Sequence, residues 1–242
     1  MRQVGHSDHF GGARPSGPQC IGVSRLLACK RMVERLAVSP LLTSAMIEAL
    51  SRYADLRPRW RAVYTGLLRI SQTRGGLMRY QPDHLIDLIV RAMEDELAAR
   101  HQLAPEGDEH VHLEDTLQFV LTRYWVLGTH DALRIAARSP AGKVHPNLQS
   151  LYERFRLVRV PLAKLKVAGD DALKNGRVLL VPAEEEDAKP ETYRARSSDE
   201  YHPPTPIDER GSIGWNLFEV KTMLPVTIYR RQLSDELLAV FD

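Results

Sequence analysis

From Ser39 onward, apolar residues recur at helical spacing. Leu42, Met46, Leu50 and Tyr53 follow at three- and four-residue steps with Pro40 in the first turn, which predicts a helix ending near Arg57. Pro58 opens a second, in which Trp60, Val63, Tyr64, Leu67 and Leu68 form one stripe, and Gly75-Gly76 then breaks the chain. Pro82 starts a third, ending near Gln102. Its buried face is read as Ile86, Ile89, Val90, Met93 and Leu97, with Asp83 and Asp87 in early turns where the helix dipole favours acids. Leu113 to Arg138 reads as a long fourth helix between the polar stretches PEGDEH and SPAGK. With Leu113 set at zero and 100° per residue, Gln118, Thr129, Thr122 and Asp115 cluster between about 140° and 200°, a cluster read as facing solvent. The rest of the circumference is largely apolar, the mark of a central helix. A fifth helix runs from about Asn147 to Lys166, where Pro161 predicts a kink.

After Gly169 the pattern changes period. Arg177 to Val181 is a short strand candidate, and Pro182 to Arg210 carries five prolines and the acidic run Glu184 to Asp187. Ile213, Trp215 and Leu217, then Val226 and Ile228, alternate as two strands joined near Thr222 to Pro225, with a short helix from Ser234. A two-stranded ribbon is marginal alone, so it must dock on the helical body or pair with the 177–181 strand. The chain is therefore read as mainly α: a bundle of about five helices with a small C-terminal segment containing a β-hairpin. Its parts are a flexible basic arm (1–31), the bundle (32–169), a connector with a short strand (170–181), an acidic Pro-rich linker (182–210), and the hairpin with its helix (211–242). The pattern begins abruptly near Met32, which makes Met32 a candidate natural start; a genuine disordered arm is the alternative.

Composition narrows the class. The 242 residues hold 33 Lys+Arg against 31 Asp+Glu and are 43% hydrophobic, values ordinary for a soluble globular protein. No apolar run is long enough to span a membrane, and the first residues lack the apolar core of a signal peptide. Cys20 and Cys29 are too few for a disulfide framework, so a cytoplasmic setting is expected, with no cofactor and no metal. The near-neutral total conceals a cancellation: +5 over residues 140–181 against −5 over 182–210.

Three clusters carry candidate chemistry. Arg123, His130 and Arg134 fall within about 40° of one another on the fourth helix. A histidine between guanidinium groups suits a phosphate, with the cations lowering its pKa toward general-base use. The structural alternative is that the arginines pair with Asp83, Asp87 or Glu94 while His130 makes an interhelical hydrogen bond. Arg154, Arg156, Arg159, Lys164 and Lys166, interleaved with Tyr152 and Phe155, form a basic stretch of the kind that meets nucleic-acid backbones; the alternatives are a solvated face or a surface covered by the acidic linker. His110 and His112, with Asp108, Glu109, Glu114 and His101, hold metal-ligand types without helix-fixed spacing.

Two resemblances rest on these residues and their neighbours. Arg123-Tyr-Trp-Val-Leu-Gly-Thr-His130 has an R-x6-H spacing similar to the motif of the HEPN helical-bundle ribonucleases, although Tyr124 stands where that family tends to carry a small polar residue. The resemblance implies metal-independent RNA cleavage with Arg123 and His130 catalytic. Asp208 with Glu219-Val220-Lys221 resembles the D…(D/E)xK signature of metal-dependent nucleases, but too little chain follows for that mixed α/β core.

Two function classes result. The first is a non-catalytic binding or adaptor protein that engages a protein partner or a second copy of itself, since linkers between folded parts are typical of interaction proteins. The second is an RNA-binding protein or HEPN-like ribonuclease. Neither requires a membrane.

Overall fold

The computed structural model describes residues 38–72, 83–103, 113–173, 177–180, 191–195 and 200–241. The basic arm and Met32, the Gly75-Gly76 break, His110 and His112 with Asp108 and Glu109, and the run Glu184 to Asp187 lie outside these. The chain divides into two units, Met1–Ser44 and Ala45–Asp242, and the core and the candidate sites belong to the second.

The architecture is mainly helical, with antiparallel strand pairs confined to the C-terminal part. In chain order the elements are α1 (Val38–Arg52), α2 (Leu56–Ser71), α3 (Asp83–Leu103), α4 (Leu113–Arg138), α5 (Pro140–Lys143), α6 (Pro146–Lys164), β1 (Arg177–Leu180), β2 (Glu191–Arg194), β3 (Gly214–Glu219), β4 (Leu224–Tyr229) and α7 (Arg230–Ala239). The predicted helices are present with small shifts at their ends. α5, inside the stretch read as a loop, is one turn capped by Ser139, whose Oγ accepts from the Gly142 N–H at 2.9 Å. α6 continues through Pro161 and stops where Leu165 turns left-handed and donates its N–H to the Pro161 carbonyl.

α4 is central, packed on α2, α3 and α6. Trp60, Leu88, Trp125, Leu133 and Phe155 fill the space between them, and the β3–β4 pair and α7 add Trp215, Ile228, Leu233 and Leu237 to the same core. Each such side chain contributes about 1.5–3 kcal/mol through removal of apolar surface from water. The β3–β4 hairpin thus docks on the helical body, in the register Trp215 to Ile228 and Leu217 to Val226. The strand at 177–180 pairs instead with β2, which lies within the stretch read as linker. A small cluster of Val167, Leu173, Tyr193 and Tyr201 anchors that neighbourhood. Tyr193 donates to Asp170 at 2.6 Å, and Tyr201 donates to the Asn216 carbonyl at 3.0 Å.

Three orientations differ from the sequence reading. The polar side of α4 faces inward: Gln118, Thr122 and Thr129 are buried. Gln118 is accommodated because its Nε2 donates to the Gly211 carbonyl at 2.8 Å, on a loop that crosses so close to α3 that a Cβ at Gly211, whose φ is +71°, would overlap the Glu94 carbonyl. On α3 the most deeply buried side chains include Asp87, Arg91 and Glu94, while Ile86, Ile89 and Met93 are only half-buried. α7 begins at Arg230 rather than Ser234, because the Arg230 N–H donates to the Ile213 carbonyl and the Arg231 N–H to Ser212 Oγ, both at 2.9 Å. Ser234 is therefore not a helix cap; it is buried inside α7.

Candidate functional site

Buried charges gather where α3 meets α7. Asp87 accepts from Trp60 Nε1 at 3.0 Å, Arg91 Nε at 3.0 Å, Ser234 Oγ at 2.6 Å and Arg230 Nη1. Arg230, wholly buried, also donates through Nε to Glu94 at 2.8 Å and through Nη2 to the other Glu94 oxygen, while its guanidinium lies 5.4 Å from the Trp125 ring centre. Arg91 reaches Ser234 at 2.7 Å and Asp235 at 2.6 Å. Burial pushes the Asp87 carboxyl upward, but Arg230, Arg91 and Ser234 together hold it below the usual carboxylate range. At the rim Asp95 accepts from Tyr53 and Arg231. The structural alternative paired Arg123 and Arg134 with Asp83, Asp87 or Glu94; the observed cations on Asp87 and Glu94 come instead from α3 itself and from α7, with Arg230 lying 143 residues beyond Asp87.

The Arg123–His130–Arg134 line separates along its length. Arg123 is exposed. His130 is 4% exposed and stacks on Tyr152 of α6 with ring centres 5.4 Å apart. Arg134 is half-buried, its Nε 3.3 Å from Asp131. These three span twelve residues or about 17 Å of helix axis, so α6 covers His130 and leaves Arg123 open. Neither His130 ring nitrogen has a hydrogen-bond partner among the described residues; the nearest carboxylate oxygen, on Asp131, is 3.5 Å from Nδ1. Burial, reinforced by Arg159 and opposed by Asp131, lowers its pKa to about 4, so the ring is neutral at pH 7. Thr122 Oγ1, Trp125 Nε1 and Thr129 Oγ1 on the same helix likewise lack partners. Asp83, at the start of α3, packs against Gly128, where a Cβ would stand 2.9 Å from its Oδ1, and burial raises its pKa to about 7.

The basic residues of α6 and Lys166 just beyond it divide into paired and unpaired among the described residues. Arg154 Nε lies 2.9 Å from Glu236 of α7, and Arg156 pairs with Glu153, which also takes Lys221 at 3.3 Å. Arg159 and Lys166 are half-buried and Lys164 is exposed, with no carboxylate partner among the described residues. Asp208, Glu219 and Lys221 do not converge. Asp208 accepts from the Arg210 and Ser212 N–H groups, Glu219 accepts from Thr222, and Lys221 meets Glu153. Among the described residues no group of three His, Cys, Asp or Glu is placed to hold a metal ion.

The outer side of α4 is the counterpart of its buried polar side. Leu117 is 48% exposed, Val120 41% and Tyr124 65%, followed by half-buried Leu127. Their steps of three, four and three residues are those of a helix–helix seam. Reading polar residues as outward concealed this face; the signal available in the sequence was the spacing itself. No described helix is long and apolar enough to cross a membrane. The chain matches no protein-family model, no curated protein and no solved structure.

Proposed function

We propose that the protein is a non-catalytic binding or adaptor protein of the cytoplasm that engages another protein. The observation carrying this reading is α4, which buries Gln118, Thr122 and Thr129 and exposes Leu117, Val120 and Tyr124. A helix arranged that way leaves apolar surface in water that a partner would cover. The HEPN-like ribonuclease reading asks Arg123 and His130 to act on one phosphate, whereas Arg123 is exposed and His130 is covered by Tyr152. The test is affinity purification from the source organism with wild type and Tyr124→Asp, whose folding is compared by circular dichroism. The expected outcome is a reproducible set of proteins lost with the variant. Wild type that elutes alone, or RNA cleavage abolished by Arg123→Ala, contradicts the proposal.

A second reading, RNA binding without cleavage, is favoured by Arg159, Lys164 and Lys166, which have no carboxylate partner among the described residues. It predicts retention of RNA at low salt that falls steeply as salt rises. Deletion of residues 184–187, the acidic run, then raises that affinity.

A further inference from the structure

The outer side of α4 specifies more than a protein partner in general. Leu117, Val120, Tyr124 and Leu127 make a seam of eleven residues, about 16 Å or three turns. Beyond Leu127 the same 3–4 spacing continues into Asp131, Arg134 and Arg138, so the apolar part stops there. Arg138, exposed and without a carboxylate partner among the described residues, stands on the line of the seam itself eleven residues beyond Leu127, and along one edge of the strip lies Arg123, likewise exposed and without such a partner. Arg134, on the same edge, is tied to Asp131. The surface is therefore a short apolar strip with uncompensated positive charge on one side.

A second copy fits this strip poorly. The antiparallel pairing that sets Leu117 against Leu127 and Val120 against Tyr124 brings the Arg123 residues of the two copies together, a like-charge contact that disfavours association. We infer, resting on the binding reading above, that the strip docks an amphipathic helix of another protein, with apolar residues every three and four positions and carboxylates along the edge that faces Arg123. Three turns of helix cover less than the roughly 1,200 Å² of a stable interface, so the contact is transient unless further surface joins it.

The test places the photo-crosslinking residue p-benzoyl-phenylalanine at Tyr124 of the full chain in the source organism, with a control at Val144, which is 81% exposed and away from the strip. The expected result is a crosslink from position 124, and not from 144, to a segment of another protein with the 3–4 apolar spacing and an acidic edge. Arg123→Glu lowers its yield about tenfold, the equivalent of about 1.4 kcal/mol, with an unchanged thermal midpoint. A crosslink to this chain or to a second copy of it, to RNA, or to a basic segment overturns the inference, as does a yield indifferent to Arg123→Glu. Proteins that co-purify while position 124 crosslinks to nothing refute this surface and leave the binding reading standing; an absence of both refutes both.

Discussion

Two parts of the core bury polar groups in opposite ways. Around Arg230, the charged groups from α3 and α7 meet one another with multiple hydrogen bonds. Along α4, Thr122, Trp125, Thr129 and His130 carry polar atoms without hydrogen-bond partners among the described residues. The division follows charge. A lone ion in the interior is prohibitively costly, so ions are buried only in pairs, whereas a neutral hydroxyl or imidazole costs about 1–3 kcal/mol unpaired. The charged cluster fixes where α7, and with it the C-terminal hairpin, sits on the bundle. The neutral line allows α4 to keep its polar side inward and to present apolar residues outward.

The largest effect is expected at Arg230. Arg230→Met leaves Asp87 and Glu94 buried without their main counter-ion and should cost about 3–5 kcal/mol in urea unfolding. A loss below about 1 kcal/mol would mean that the ions are hydrated in solution. Next is Gly128→Ala, whose new Cβ would stand 2.9 Å from Asp83 Oδ1. Displacing the buried Asp83 carboxylate, offset by the roughly 1 kcal/mol that Ala gains over Gly inside a helix, should leave a net cost of about 1 kcal/mol by the same measurement.

Asp83 itself gives a pH signature. Its folded pKa is raised to about 7 above the ordinary carboxylate value of 3.8, so the native state holds the proton more tightly than the unfolded chain. That contribution is complete below about pH 4 and is lost as pH rises through about 7. His130 acts with the opposite sign: its pKa is depressed to about 4 from 6.5, and its contribution is lost as pH falls through that interval. Asp83→Asn should therefore gain on wild type by on the order of 1 kcal/mol between pH 4 and pH 8, read from unfolding midpoints across that range. A difference that does not change with pH would place Asp83 in water.

The smallest effect is the sharpest contrast. Thr129→Val removes an unpartnered hydroxyl at nearly constant shape and should change stability by less than about 1 kcal/mol, toward stabilisation. A loss above about 2 kcal/mol would show that Thr129 has a partner comparable to those of the Arg230 cluster.

The contrast also separates what the sequence conveyed from what it concealed. Apolar period and proline position located the long helices, and α4 was legible from Leu113 to Arg138. The C-terminal hairpin followed from alternation at Ile213, Trp215 and Leu217. Orientation was the weaker part, because polar residues were assigned to solvent. Gln118 faces inward for the Gly211 carbonyl, and Asp87 faces inward for Arg230, partners far along the chain that no local period encodes. The candidate site was partly legible: Arg123, His130 and Arg134 do share one side of α4, but a helical wheel carries no information on where a neighbouring helix begins to cover that side.

The inverted setting of α4 is most directly tested by thiol accessibility. In a background with Cys20→Ser and Cys29→Ser, single cysteines are placed at Val120, Tyr124, Thr122 and Thr129, and their alkylation rates are measured in the native state. Positions 120 and 124 should react at rates near those of unfolded chain, and 122 and 129 at least about 100-fold more slowly, because they react only through opening of the core. Rapid alkylation at 122 and 129 with protection at 120 and 124 would contradict the orientation of α4 and remove the surface on which the proposed binding function rests.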